Sequence, residues 1–474
     1  ESGLRARQVD EIAIAGQFFF LYPRISDGDA FYHLGHASVY REQGIVASDF
    51  PWLTASVVKT YGADLWYGFH LLLIPFTVTA DPVNGMRLAG VAVSAISLLF
   101  CYAGFARLRI RYPLAWVILL AIAVPDLAYR LTMVRPQLFD LGLGVLAVAL
   151  ASESKRVPIF IIVALATWLH LALAWLPMLI VLTVVAAGTL TTRRFNWRLI
   201  AAALAGFALG ALIRPNPLGA LQLAYVQIIG LAQAKLAGVP MRSGSEFRTA
   251  DASVFAYEIA PMLILLLPAA FAYFSLWRRK TLDTIAASTR TAYLASIVLA
   301  LGFGTLAAFV ALRSMDLFVA FTVASAGLAY TYACVHPPAP YARWEKRIRT
   351  VGVCFAVLLA ANTARFALGY RAQAIAPDTF RASSQWLVQH SRAGAIVFNV
   401  HWDNFPMLFS ANRHNYYVNG MDPIFEYAFD RERYFEHYFI DTDRIAITAG
   451  RGYTCKQQTC TDDQLIPLAH AIKN

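Results

Sequence analysis

The run V-P-I-F-I-I-V-A-L-A-T-W-L-H-L-A-L-A-W-L-P-M-L-I-V-L-T-V-V-A-A-G, residues 157–188, decides the fold class. A helix rises 1.5 Å per residue, so about 20 apolar residues cross the ~30 Å of bilayer hydrocarbon. This run is too long for one crossing, and Trp168, His170 and Pro177 interrupt it near its middle. It therefore reads as two spans joined by a turn at 168–171. Working outward, further apolar runs lie near 11–23, 85–106, 113–129, 135–151, 198–213, 258–277, 291–311, 315–334 and 350–368. Together they predict eleven spans.

Composition agrees. Of 474 residues 58% are hydrophobic and 15% charged, and mean hydropathy is +0.52. That excludes disorder, a coiled coil, a disulfide scaffold and a string of water-soluble domains. The net charge of +11 resides in the apolar part, because the tail from Arg371 holds ten basic and eleven acidic residues. Excess basic charge between spans is what topology and anionic headgroups demand, so nucleic acid is not the expected partner. Arg5, Arg7 and the clusters at 107–111, 155–156, 193–198, 278–290 and 343–349 belong on the cytoplasmic side. The short opposite loops then hold only Arg130, Arg135 and Arg313. The expected organisation is a transmembrane domain over 1–370, with outer loops at 24–84 and 214–257. A small periplasmic α/β domain follows over 371–474, in a multi-pass inner-membrane protein.

Within that tail, Pro377-Asp378 reads as the start of an amphipathic helix ending near His390. Residues 395–400 (A-I-V-F-N-V) read as a buried strand, 415–418 as another, and 461–472 as a helix. Cys455 and Cys460 would close a small disulfide loop outside the cytoplasm. Cys101, Cys334 and Cys354 lie in apolar runs and read as packing residues.

Four patches carry chemistry. The first loop reads S-D-G-D-A-F-Y-H-L-G-H over 26–36. Asp27 and Asp29 suit a general base or a divalent cation, with His33 beside them; the competing reading has Asp27 capping a helix and Asp29 in its first turn. The same loop continues through Asp64 and His70 into an interfacial helix. The second patch is Arg130, Arg135, Arg214 and Arg313, set against the positive-inside trend, where guanidinium forks suit phosphate oxygens. Structural pairs Arg313–Asp316 and Arg135–Asp140 are the alternative. Third and fourth are Ser243-Gly244-Ser245-Glu246 and His401-Trp402-Asp403-Asn404-Phe405-Pro406. Each also reads as a plain polar turn.

In order and sidedness these patches resemble the GT-C superfamily of membrane glycosyltransferases, most of all the catalytic subunit of oligosaccharyltransferase. Asp29-Ala30-Phe31-Tyr32-His33 is similar to that subunit's D-P-W-F-N-Y motif. Ser243–Glu246 resembles its S-V-S-E motif. His401–Phe405, with Ala411-Asn412-Arg413, is similar to its W-W-D-Y-G followed by A-N-R. Its second acidic motif is replaced by Arg135-Pro136-Gln137-Leu138-Phe139-Asp140, and its acceptor-reading tyrosine by Phe405. The related lipid-A aminoarabinose and protein mannosyl transferases share the acidic first loop without this tail.

The resemblance implies an inverting transferase using a polyprenyl-phosphate- or pyrophosphate-linked sugar, with a glycan, lipid or protein as acceptor. It gives Asp29, with Asp27 or His33, the base role, and Arg135, Arg313, Arg214 and Arg130 the phosphate. Glu246, Asp140, His401, Trp402 and Asp403 would form an acceptor or cation site. A magnesium or manganese ion on Asp29 and Glu246 and a metal-free site are equally compatible with these residues. A non-catalytic membrane scaffold and a secondary transporter are the alternatives, but no half-to-half repeat supports transport.

Overall fold

The structure is a computed structural model. It describes residues 24–242, 244–278, 285–335 and 339–442, with short strand pieces at 445–446, 454–455, 458–459 and 466–467. The expected first span, 11–23, and Cys460 of the expected disulfide lie outside the described residues. The chain forms two compact units. One comprises Glu1–Asp27, Val78–Ile213 and Gly244–Pro377; the other comprises Gly28–Thr77, Arg214–Ser243 and Asp378–Asn474. The first loop and the segment after 213 thus cluster with the tail.

The first unit is a helical bundle. Among the described residues six helices are long and apolar enough to cross a membrane: Pro82–Arg107, Leu171–Thr192, Ala252–Arg278, Ala287–Phe309, Leu312–Cys334 and Arg349–Gln373. The 157–188 run breaks as expected. Helix Arg156–Leu169 ends at His170, and a single 3-10 turn leads into Trp175–Thr192. The run 113–129 does not continue as one helix. Pro113–Ile122 stops before Val124, whose extended backbone (φ −141°, ψ 148°) is what a following proline imposes, and Pro125–Arg130 restarts as a short helix. Pro113–Ile122 has 10 residues, Arg156–Leu169 14 and Gln137–Ser152 16, so each falls short of the length that a perpendicular crossing needs.

Small residues let these helices approach closely, the usual device where lipid removes the hydrophobic drive between helices. A Cβ at Gly206 would lie 2.4 Å from the Phe160 carbonyl oxygen, and one at Gly210 only 2.3 Å from that of Ala164. Helix Trp197–Leu212 therefore packs on Arg156–Leu169 backbone to backbone. Ser94 and Ser97 of Pro82–Arg107 donate to the carbonyls of Leu131 and Leu138, supplying polar attachment inside an apolar bundle.

The second unit is built from short elements. Helix Asp29–Gln43 buries nearly its whole N-terminal half, and Ser56 caps Val57–Tyr61 by accepting from Val58 N–H. Beyond 378 the described chain is mostly helical: Arg381–His390, Phe405–Ala411, Pro423–Phe429 and Arg431–Asp441. The expected buried strand over 395–400 shrinks to Ile396–Val397, paired in parallel with Tyr416–Tyr417. Ile396 is 62% exposed, so an apolar run here does not mark a core strand. Within the span expected as a helix, Ile466–Pro467 pairs in parallel with Ile445–Ala446; the rest of 461–472 lies outside the described residues.

Candidate functional site

In the first unit, loop-borne charges converge at one end of the helices. Arg130 closes the short helix Pro125–Arg130, and Arg135 precedes Gln137–Ser152. Glu246 sits in the 3-10 turn Ser245–Phe247 and Arg313 in Leu312–Ser314. Main-chain bonds Leu312 N–H to Arg248 O (3.0 Å) and Ala250 N–H to Ala308 O (3.3 Å) fasten these two turns together.

Glu246 is the hub. Its Oε1 accepts from Arg313 at 2.9 Å, and its Oε2 accepts from Arg135 at 2.9 Å and Arg130 at 3.4 Å. Burial opposes its charge, but the three guanidinium groups hold the carboxyl well below the usual carboxylate range. Arg135 also clasps Asp27, Nε to Oδ2 at 2.5 Å and Nη2 to Oδ1 at 3.0 Å. Arg130 is buried, and its Nε meets Asp126 at 2.7 Å and Asp316 at 3.5 Å. Burial disfavours the Arg130 charge, but Asp126, Asp316 and Glu246 more than compensate and raise its pKa further. Arg313 stands 5.2 Å from the Phe247 ring centroid, a cation–π contact. Fully ionised, Asp27, Asp126, Glu246 and Asp316 outnumber the three guanidinium groups by one.

The strand-like segment 24–27 is held by its surroundings. Ile25 and Ile375 exchange main-chain hydrogen bonds at 2.9 and 2.7 Å, Arg24 donates to Ala374 O at 2.8 Å, and Ser26 to Thr132 O at 2.8 Å. Tyr129 donates to Ser26 O.

Three of the four arginines expected to act together do meet, whereas Arg214 falls in the second unit, buried and donating to the Asp64 carbonyl at 3.0 Å. Neither expected structural pair forms. Arg313 and Arg135 choose Glu246, and Asp140 is buried against His170 Nδ1 at 2.5 Å. Asp27 does not cap the following helix, because both of its oxygens are taken by Arg135 and the N-cap residue is Gly28, without a side-chain cap. Asp29 is the first residue of that helix, in the second unit. His33 is buried and engages His70, Nδ1 to Nε2 at 2.8 Å. His401 pairs with Asp441, which also binds Arg242 at 2.9 Å; Trp402 Nε1 donates to Arg242 O at 2.9 Å, and Asp403 is exposed. Ser243 lies outside the described residues.

As a cation site Glu246 fits poorly. Both of its oxygens already accept from arginine, and a divalent ion there would face three positive groups at close range. The donor set suits an anion that takes the carboxylate's place. Asp126 and the Asp64–His70 pair were not singled out from the sequence as site residues, and Asp126, one helical turn before Arg130, is the one that local spacing would have found.

The apolar helices make the chain a multi-pass membrane protein. Its fold is similar to that of ArnT from Cupriavidus metallidurans, whose crystal structure in the apo state matches with a TM-score of 0.52 at 13% identity. The match covers 89% of this chain and 87% of that one. Residues 1–370 make up about 78% of the chain, so a match over 89% of it extends into the tail. No protein-family model matches the sequence, and no curated protein matches it.

Proposed function

We propose that this chain transfers a sugar from a polyprenyl-phosphate or pyrophosphate carrier to an acceptor at the outer face of the inner membrane. The observation that carries the reading is the triad Arg130, Arg135 and Arg313 closed on a single carboxylate, Glu246. That carboxylate acts as a stand-in for phosphate. The donor's phosphate displaces it, accepts from the same Nη groups, and leaves with its developing charge stabilised by them. Asp29 takes the acceptor's proton as the acceptor attacks the anomeric carbon, the sugar–phosphate C–O bond breaks, and configuration inverts. Asp27 keeps the Arg135 fork in its plane. The shorter apolar helices bring the described spans to ten, the run 11–23 would supply the eleventh, and the tail is a periplasmic α/β domain whose His401–Asp403 turn borders the acceptor. This mechanism routes no step through a metal ion.

Mass spectrometry of lipid-linked sugars and envelope glycans, with and without the protein, tests the reading. Deletion should cause one polyprenyl-linked species to accumulate, and Asp29→Asn should reproduce this at normal protein levels. Unchanged lipid-linked sugars and glycans on deletion would leave the protein a non-catalytic scaffold.

A further inference from the structure

The second unit holds a buried polar cluster that the proposed transfer reaction does not use. Helix Asp29–Gln43 presents Tyr32, His36 and Tyr40 at i, i+4 spacing on one face. Against that face lie Asp64 and, six residues on, His70 in the helix Tyr67–Leu73. All of these side chains are buried, His70 completely. Aromatic rings wall them in: Phe50 stands 5.0 Å from the His36 ring and Phe69 5.0 Å from that of His33, centroid to centroid.

We propose that His36, Asp64 and His70 hold one divalent transition-metal ion of the zinc class. One ligand atom from each, His36 Nε2, Asp64 Oδ2 and His70 Nδ1, lies within 4.8 Å of the other two. The His36 Nε2 to Asp64 Oδ2 distance is 4.0 Å, beyond hydrogen-bond reach. Two ligands at zinc-bonding distances stand about 3.5 Å apart around a tetrahedral centre, so a small inward shift closes this gap. His70 Nδ1, at 2.6 Å from the same oxygen, needs a small outward one. Tyr40 Oη donates to Asp64 Oδ2 at 3.0 Å.

The outer partners distinguish a metal site from a plain hydrogen-bonded core. Each candidate ligand turns one atom to the common point and has its other polar atom held from behind. His70 Nε2 meets His33 Nδ1 at 2.8 Å, His36 Nδ1 meets Tyr32 Oη at 3.0 Å, and Asp64 Oδ1 accepts from Trp66 N–H at 2.9 Å. Such second partners fix the tautomer and direction of metal-binding imidazoles. Two imidazoles with one carboxylate select a borderline ion over magnesium or calcium. The ion would pin the first loop's helix to the 64–70 segment, and this inference does not depend on the transfer reaction.

The test is metal analysis of the full-length chain purified in detergent from zinc-supplemented cells. It should carry about one zinc per chain, lose it to a chelator, and on reloading with Co2+ give the visible absorption of a tetrahedral site. Zinc should raise the melting temperature of the stripped protein by several degrees. Folded Asp64→Asn and His36→Ala should lose the metal, while exposed His390→Gln retains it. If either variant fails to fold, the wild-type zinc content and cobalt spectrum decide. The proposal is overturned by a wild-type chain that holds little zinc and responds to neither ion, or by folded variants that keep full zinc.

Discussion

Arg135 and Asp27 face each other across 108 positions of sequence and meet fork to fork, with nitrogen–oxygen distances of 2.5 and 3.0 Å. The same guanidinium spends its remaining Nη on Glu246 at 2.9 Å. One arginine thus links the start of the first loop to the hub of the charge cluster, with Asp27 and Glu246 together setting its orientation.

Asp27→Asn should therefore act through Arg135. It keeps the shape and removes the charge from a pair whose side chains are 17% and 10% exposed. Partial solvation discounts the loss to about 1–3 kcal/mol of stability. If transfer is the activity, misplacing the guanidinium by an ångström should lower kcat about a hundredfold. Thermal melts and turnover with a polyprenyl-phosphate sugar check both.

Glu246→Gln should have the opposite sign on binding. It removes the anion that competes for Arg130, Arg135 and Arg313, so affinity for a polyprenyl phosphate should rise about fivefold, or about 1 kcal/mol. Arg313→Ala should weaken it and flatten its salt dependence. Titration of the purified protein with the lipid at two ionic strengths separates these outcomes.

The Gly206 and Gly210 face should tolerate no side chain. Gly210→Leu drives carbon into the Ala164 carbonyl, where even a Cβ would stand at 2.3 Å. Overpacking of this kind costs about 1–3 kcal/mol when the helices can shift and more when they cannot. A lowered melting temperature in detergent, with Gly302→Ala as a control in open space, is the expected result.

His437 supplies a pH dependence. Burial disfavours its charged form, but the contact with Glu426 at 3.1 Å and the carbonyls of Val400 and Asn399 outweigh it and raise its pKa. A group raised on folding binds a proton in the native state that the unfolded chain releases first. Its stabilisation is full below about pH 6.5, the unfolded value, and fades as pH climbs through the higher folded value. His437→Gln should remove that decline, as melts between pH 5.5 and 9 would show.

Local signals were legible in the sequence. The described runs expected to span are helical, with 113–129 and 157–188 each broken into two helices, and three arginines on the short loops, each costly near lipid, did converge. Val124-Pro125 was legible too, because proline constrains its predecessor, yet hydropathy alone ran through it. Partner choice was hidden. Asp140 pairs with His170 across 30 positions and Asp27 with Arg135 across 108, distances over which only tertiary packing decides. The cluster around Asp64 was masked by its composition, since histidines among tyrosines and phenylalanines in a loop read as an interfacial belt. Of the tail's two-residue strands, Ile396–Val397 and Tyr416–Tyr417 fall inside runs that read as strands, whereas Ile466–Pro467 falls where a helix was expected.

The main-chain clasp between Ile25 and Ile375 bears on how the molecule can be dissected. A truncation at residue 370, where hydropathy ends, would cut away the carbonyl that Arg24 leans on and the residue that sets the position of Ile25. The anchorage of Asp27 would slacken before any of the tail's own chemistry was in question. Residues up to Pro377 belong with the spans, and a loss of activity from the shorter cut would report a broken tether, not an indispensable domain.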